Sequence, residues 1–185
     1  MLGAPRHQHS YADYLQALQD SAIKLEYLGG EIYAMAGGTP MHAQLAASVM
    51  RLLGNALQGR CTVFSSDLKV LVAATGLATF PDVTVVCTDV QTAPIDANAV
   101  VNPTVIVEVT SDSTESYDFG EKLEHYKQIP SLQAVMFVSH RRAEITLVER
   151  SSAGSWKPQS VRSGAALDLL CGATIAVDDV YAGAF

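Results

Sequence analysis

The run Val105-Ile106-Val107-Glu108 limits this chain more than any other stretch. Three consecutive β-branched aliphatic residues favour a strand covered on both faces, and the carboxylate closing the run is carried inside with them. A buried carboxylate is costly unless it meets a cation, hydrogen-bond donors or a metal ion. A strand over residues 103–110 puts Thr104, Ile106, Glu108 and Thr110 on one face and Val105, Val107 and Val109 on the other. A second strand, expected over residues 80–87, carries Asp82 ahead of another aliphatic run. Two acids on two strands, with Lys122 downstream, can form a divalent-cation site for phosphodiester hydrolysis.

A chain of 185 residues can bury a real core in one domain and is short for two, so residues 1–185 are read as a single domain, with 1–9 as a loose tail. Apolar residues make up 49% and charged residues 17%, which favours a folded protein over a disordered one. Lys and Arg number 12 against 19 Asp and Glu, a formal net charge of -7, which argues against gripping nucleic acid by bulk positive charge. Cys61, Cys87 and Cys171 fit neither a zinc pattern nor a disulfide framework; three buried thiols in a reducing cytoplasm are expected. No apolar run approaches the roughly 20 residues that cross a bilayer, and the start of the chain lacks a signal-peptide core.

Ser10 opens a predicted helix, with Asp13 completing a capping box. Residues 24–28 and 31–36 flank Gly29-Gly30 as a β-hairpin, with Glu26 and Glu31 on either side of the turn. Thr39-Pro40 starts a long helix striped by Leu45, Val49, Leu52, Leu53 and Leu57, with His42 in its first turn. His42 could steer a phosphate or a water; a local hydrogen bond is its simpler use. Lys69 is expected in solvent, and residues 88–102 as a surface loop. A helix over 120–128 has Asp118 either as its N-cap, with Glu121 closing the box, or as a catalytic acid, and Lys122 and Tyr126 share its face. Arg141, Arg142 and Arg150 are read as surface charges, and His7 and His9 as part of the loose tail.

Leu25-Glu26-Tyr27-Leu28-Gly29-Gly30-Glu31, His42, Phe80-Pro81-Asp82-Val83, Val107-Glu108-Val109 and Asp118-Phe119-Gly120-Glu121-Lys122 through Tyr126 together resemble the Uma-two family of endonucleases, a branch of the PD-(D/E)XK superfamily. The resemblance implies an α/β, restriction-endonuclease-like fold with a central mixed β-sheet flanked by helices. It implies an endonuclease that hydrolyses nucleic acid, DNA above all, with Mg²⁺ or Mn²⁺ held by Asp82 and Glu108. The superfamily's lysine, two residues after the second acid, is replaced here by Thr110, and Lys122 on the following helix is the matching residue. The same resemblance assigns Glu31 as an added acid near the metal, and gives His42 and Tyr126 supporting places at the substrate. By analogy with nucleases of this fold, a homodimer is expected. Two other classes fit the same residues: a binding protein that keeps the fold without catalysis, and a metal-dependent hydrolase of a small phosphoester.

Overall fold

The computed structural model describes residues 8–184 apart from 36 and 113. Residues 1–7, including His7, lie outside the described residues. His9 is held rather than loose: its N–H donates to the Gly30 carbonyl (2.8 Å) and its carbonyl accepts from the Tyr27 hydroxyl (3.0 Å).

Helix α1 (Tyr11–Asp20) starts on the expected capping box, Ser10 and Asp13 each accepting the other's backbone N–H. Strands β1 (Leu25–Leu28) and β2 (Glu31–Ala34) form the hairpin, and Gly29 and Gly30 take φ of 59° and 90° in its turn, where a side chain would be strained. Helix α2 (Pro40–Ala56) begins where the Thr39 hydroxyl accepts the His42 N–H. Then come β3 (Thr62–Ser65), β4 (Lys69–Val72), β5 (Leu77–Thr79) and β6 (Val83–Val86). The loop expected over 88–102 instead contains β7 (Thr92–Ala93) and β8 (Asp96–Val100). Strand β9 (Val105–Val109) is followed by a one-turn helix α3 (Glu115–Tyr117), a wide π-type turn (Asp118–Lys122) and α4 (Leu123–Tyr126). The rest is β10 (Ala134–Val138), β11 (Glu144–Arg150), β12 (Trp156–Arg162), β13 (Ala166–Asp168), β14 (Thr174–Ala176) and α5 (Val177–Val180).

The central sheet has the order β12-β11-β10-β9-β6-β3 and is mixed, because β9 and β10 run parallel while the other neighbours are antiparallel. A second six-stranded sheet, β2-β1-β5-β4-β8-β7, was not foreseen. The alternation of β9 explains the layers. Val105, Val107 and Val109 pack with Leu45, Val49 and Leu53 of α2 on one side. Ile106 faces the other side, where Val70, Val72 and Leu77 of the second sheet meet Leu123, Tyr126 and Phe137. Helix α1 covers the outer face of the second sheet through Tyr14.

Two expectations are corrected here. Lys69 is 4% exposed, not solvated: its ammonium lies 2.6 Å from Asp96, which also accepts from the Tyr11 hydroxyl at 2.9 Å. Burial works to raise the Asp96 carboxyl, but the hydrogen bonds from Lys69 and Tyr11 prevail and hold it low. Asp96→Ala leaves a buried ammonium unpaired, and urea unfolding is expected to show a loss of about 3–5 kcal/mol. The second correction concerns the cysteines. Thr62 pairs with Val86, and one step outward in that register Cys61 and Cys87 are joined as a disulfide; Cys171 is the free thiol. The cytoplasmic reading rested in part on three free thiols and loses that part of its support. Closing a loop with a sequence separation of 26 restricts the unfolded chain, so reduction is expected to cost about 3 kcal/mol in the same assay. Among the described residues, no helix is long and apolar enough to cross a membrane.

Candidate active site

Strands β6 and β9 pair Val83 with Val107 and Val85 with Val105. One step further in this register, just before β6 begins, Asp82 stands opposite Glu108. Asp82 Oδ2 accepts the Val109 N–H at 2.7 Å and lies 3.2 Å from His42 Nε2. Glu108, 5% exposed, uses one oxygen for two partners: Oε1 accepts from the Tyr126 hydroxyl at 2.6 Å and is 2.9 Å from Lys122 Nζ. The Lys122 ammonium, also 5% exposed, is 3.4 Å from Glu26 Oε1 and 3.7 Å from Asp118 Oδ1. Asp82, Glu108, Lys122, Tyr126 and His42 are therefore brought together, with Glu26 and Asp118 added.

Glu26 shows what hairpin reasoning missed. In the β1–β2 register Glu26 pairs with Tyr33 and Leu28 with Glu31, so both acids lie on one face. Glu26 is the one that reaches Lys122, and Thr79 Oγ1 donates to it. Glu31, nearer the turn, accepts from the Tyr33 hydroxyl at 2.6 Å. The two-residue turn fixes the shared face but not which carboxylate is covered by the neighbouring layer.

Asp118 is corrected as well. The helical segment begins at Glu115, so Asp118 is inside it rather than at its N-cap, and its carboxylate is buried. Gly120, at φ -97° and ψ -106°, breaks the helix between Asp118 and Lys122. Thr110, standing where the superfamily keeps its lysine, is buried and bonded to His140 Nδ1 at 3.3 Å.

Charge dominates the chemistry of this cluster. Burial pushes the Glu108 carboxyl up to about 8; Lys122 pulls it down, while the charges of Asp82 and Asp118 push the same way as burial. Asp118 is raised too, chiefly by burial. Burial alone would favour neutral Lys122, but Glu108, Tyr126, Glu26 and Asp118 outweigh it and keep the ammonium charged. The hydrogen bond to Asp82 raises the His42 imidazole against the opposing effect of burial. Four carboxylates thus surround one ammonium and one histidine.

The donor set suits a hard cation. Among the described residues, Glu108 Oε2 and Asp82 Oδ1 receive no hydrogen bond, although the other oxygen of each carboxylate is engaged. No three His, Cys, Asp or Glu side chains among them converge as a complete ligand set. Two carboxylate oxygens fit Mg²⁺ or Mn²⁺, which keep several waters in their shell.

A model of the Uma2 family, described as "Putative restriction endonuclease", matches residues 11–177. Two proteins of Synechocystis sp. (strain ATCC 27184 / PCC 6803 / Kazusa) are similar along the chain. The uncharacterized protein slr1290 is 36% identical over 97% of this chain and 95% of its own length. The uncharacterized protein sll1609 is 32% identical over 69% of this chain and 72% of its own. A crystal structure from Anabaena variabilis ATCC 29413, described as a putative nuclease belonging to DUF820, superposes with a TM-score of 0.77 at 12% identity, covering 94% of this chain and 98% of that one.

Proposed function

The chain belongs to the Uma2 family and has the restriction-endonuclease-like fold, and we propose that it is a divalent-metal-dependent endonuclease acting on DNA. The observation that carries this reading is the Lys122 ammonium 2.9 Å from Glu108, with Asp82 opposite Glu108 in the adjoining strand. Asp82 and Glu108 would hold Mg²⁺ or Mn²⁺ through Oδ1 and Oε2, the oxygens that no other described residue engages. Such an ion lowers the pKa of a bound water and stabilises negative charge developing at phosphorus.

The protein's own residues supply the rest. Tyr126 fixes Glu108 by its 2.6 Å hydrogen bond. Lys122 brings a permanent positive charge beside the reacting phosphate and orients the attacking water. Glu26 and Asp118 hold that ammonium from two sides. His42, raised by Asp82 and only partly buried, donates a hydrogen bond to a phosphate oxygen. Glu31 acts one step out, beside Tyr33, whose hydroxyl donates to it.

The test is cleavage of plasmid and single-stranded DNA with Mn²⁺ or Mg²⁺, with a chelator as control. Cleavage is expected with the metal, and Asp82→Asn is expected to lose at least a hundredfold. Uncut DNA under every condition, or an Asp82→Asn variant cutting at the normal rate, sinks the proposal. Turnover of a small model phosphodiester without DNA cleavage would move the assignment to a phosphoester hydrolase. The homodimer is required only where both strands of a duplex are cut, and the mass of the active species decides it.

A further inference from the structure

Two exposed aromatic rings flank the acidic cluster. Phe119, in the turn between Asp118 and Lys122, is 37% exposed and stacks on Phe137 with ring centroids 4.1 Å apart. Phe137 is buried and pairs across the sheet with Glu108, so its ring holds Phe119 one strand away from that carboxylate. Phe137 covers one face of Phe119, and solvent still reaches 37% of that residue. On the other flank, Tyr33 is 47% exposed and lies directly across the hairpin from Glu26. Its hydroxyl donates to Glu31, which fixes the ring.

Among the described residues, most of the cations are already paired. Lys24 is paired with Asp67, Lys127 with Glu124, Arg141 with Asp112 and Glu115, and both Arg142 and Arg162 with Glu144. Lys69 and Lys122 are buried among carboxylates, and Arg60 and Arg150 donate to backbone carbonyls. Among the described residues, only Arg51 and Lys157 are left without a carboxylate or carbonyl partner. A duplex is gripped by neutralising phosphates along two strands, and the described residues leave few cations unpaired for that task. An unpaired base adds a contact that a paired one cannot make, because its π-face is free to lie on an exposed ring.

We propose that this site takes unpaired nucleotides, one base stacked on Phe119 and another on Tyr33, with the linking phosphate delivered to the acids between them. The inference rests on the nuclease reading and deepens it, making single-stranded rather than duplex nucleic acid the substrate class. A single copy of the chain is then enough for cleavage of one strand.

The test is fluorescence anisotropy of the full chain with labelled single-stranded DNA, single-stranded RNA and duplex DNA of one sequence, Ca²⁺ being present. Either single strand should bind at least tenfold more tightly than the duplex. Affinity should fall less than about tenfold between 50 and 200 mM salt, because few counterions are released. Phe119→Leu and Tyr33→Leu should each weaken single-strand binding about tenfold or more, whereas Phe119→Tyr and Tyr33→Phe should retain it. Melting curves confirm that the leucine variants fold, and the aromatic replacements separate stacking from packing. Equal or tighter binding of the duplex overturns the proposal, as do leucine variants that bind like the wild type.

Cleavage assays keep the two readings apart. Single strands bound through both rings but never cut would remove the nuclease reading and leave this one standing. Duplex DNA cut as fast as single strands would do the reverse.

Discussion

Lys122→Met is expected to destabilise the protein by about 3–5 kcal/mol at pH 8, the loss that follows when one partner of a buried ion pair is removed. The magnitude comes from what is left behind. Glu26, Glu108 and Asp118 all lie within 4 Å of that one ammonium, and none of them is more than slightly exposed. In the wild type the raised lysine pKa contributes stability that is complete below the unfolded value of about 10.4 and is lost as pH climbs beyond it. In the variant the abandoned acids take up protons more readily, so the deficit should shrink as pH falls. Urea unfolding at pH 5.5 and pH 8.5 reads both effects. A deficit that stays constant over this range would mean that the carboxylates are not sharing the lysine.

Glu108→Gln is expected to lower metal-dependent cleavage at least a hundredfold while leaving stability at pH 8 unchanged or higher. The amide oxygen can still accept from Tyr126, and Lys122 keeps Glu26 and Asp118 as partners. Only the anion is lost. Because the folded Glu108 carboxyl titrates near 8, against about 4.3 in an unfolded chain, the folded state holds a proton that the unfolded state has released. Wild-type stability should therefore fall as pH rises between those values, and the glutamine variant should flatten that slope. A cation that binds Glu108 must displace the same proton, so Mn²⁺ affinity should climb with pH over the same window. An unaltered slope in the variant would show that Glu108 is ionised throughout.

Much of this arrangement was legible because it is local. Alternation along 103–110 sorted Glu108 from its valine neighbours, and the caps at Ser10 and Thr39 were readable from residue type and spacing. The spacing of Lys122 and Tyr126 put both on one face, and both meet Glu108. What escaped depends on contacts between distant segments. Lys69 and Asp96 lie on strands that pair only after the second sheet assembles, so neither carries a local sign of burial. Cys61 and Cys87 become neighbours only through the β3–β6 register. Asp118 was misread because a capping-box spacing looks the same whether the helix begins there or, as here, three residues earlier.

The ammonium of Lys122 joins carboxylates belonging to different sheets, Glu26 from the outer one and Glu108 from the central one. The proposed reactive centre and the seam between layers are therefore the same place. A descendant that had abandoned hydrolysis would still be selected to keep this lysine for architectural integrity, so its presence in a related sequence is poor evidence of activity. Asp82, whose contacts are His42 and a single backbone amide, carries little of that mechanical burden, and its loss is the better genomic marker of a silenced enzyme.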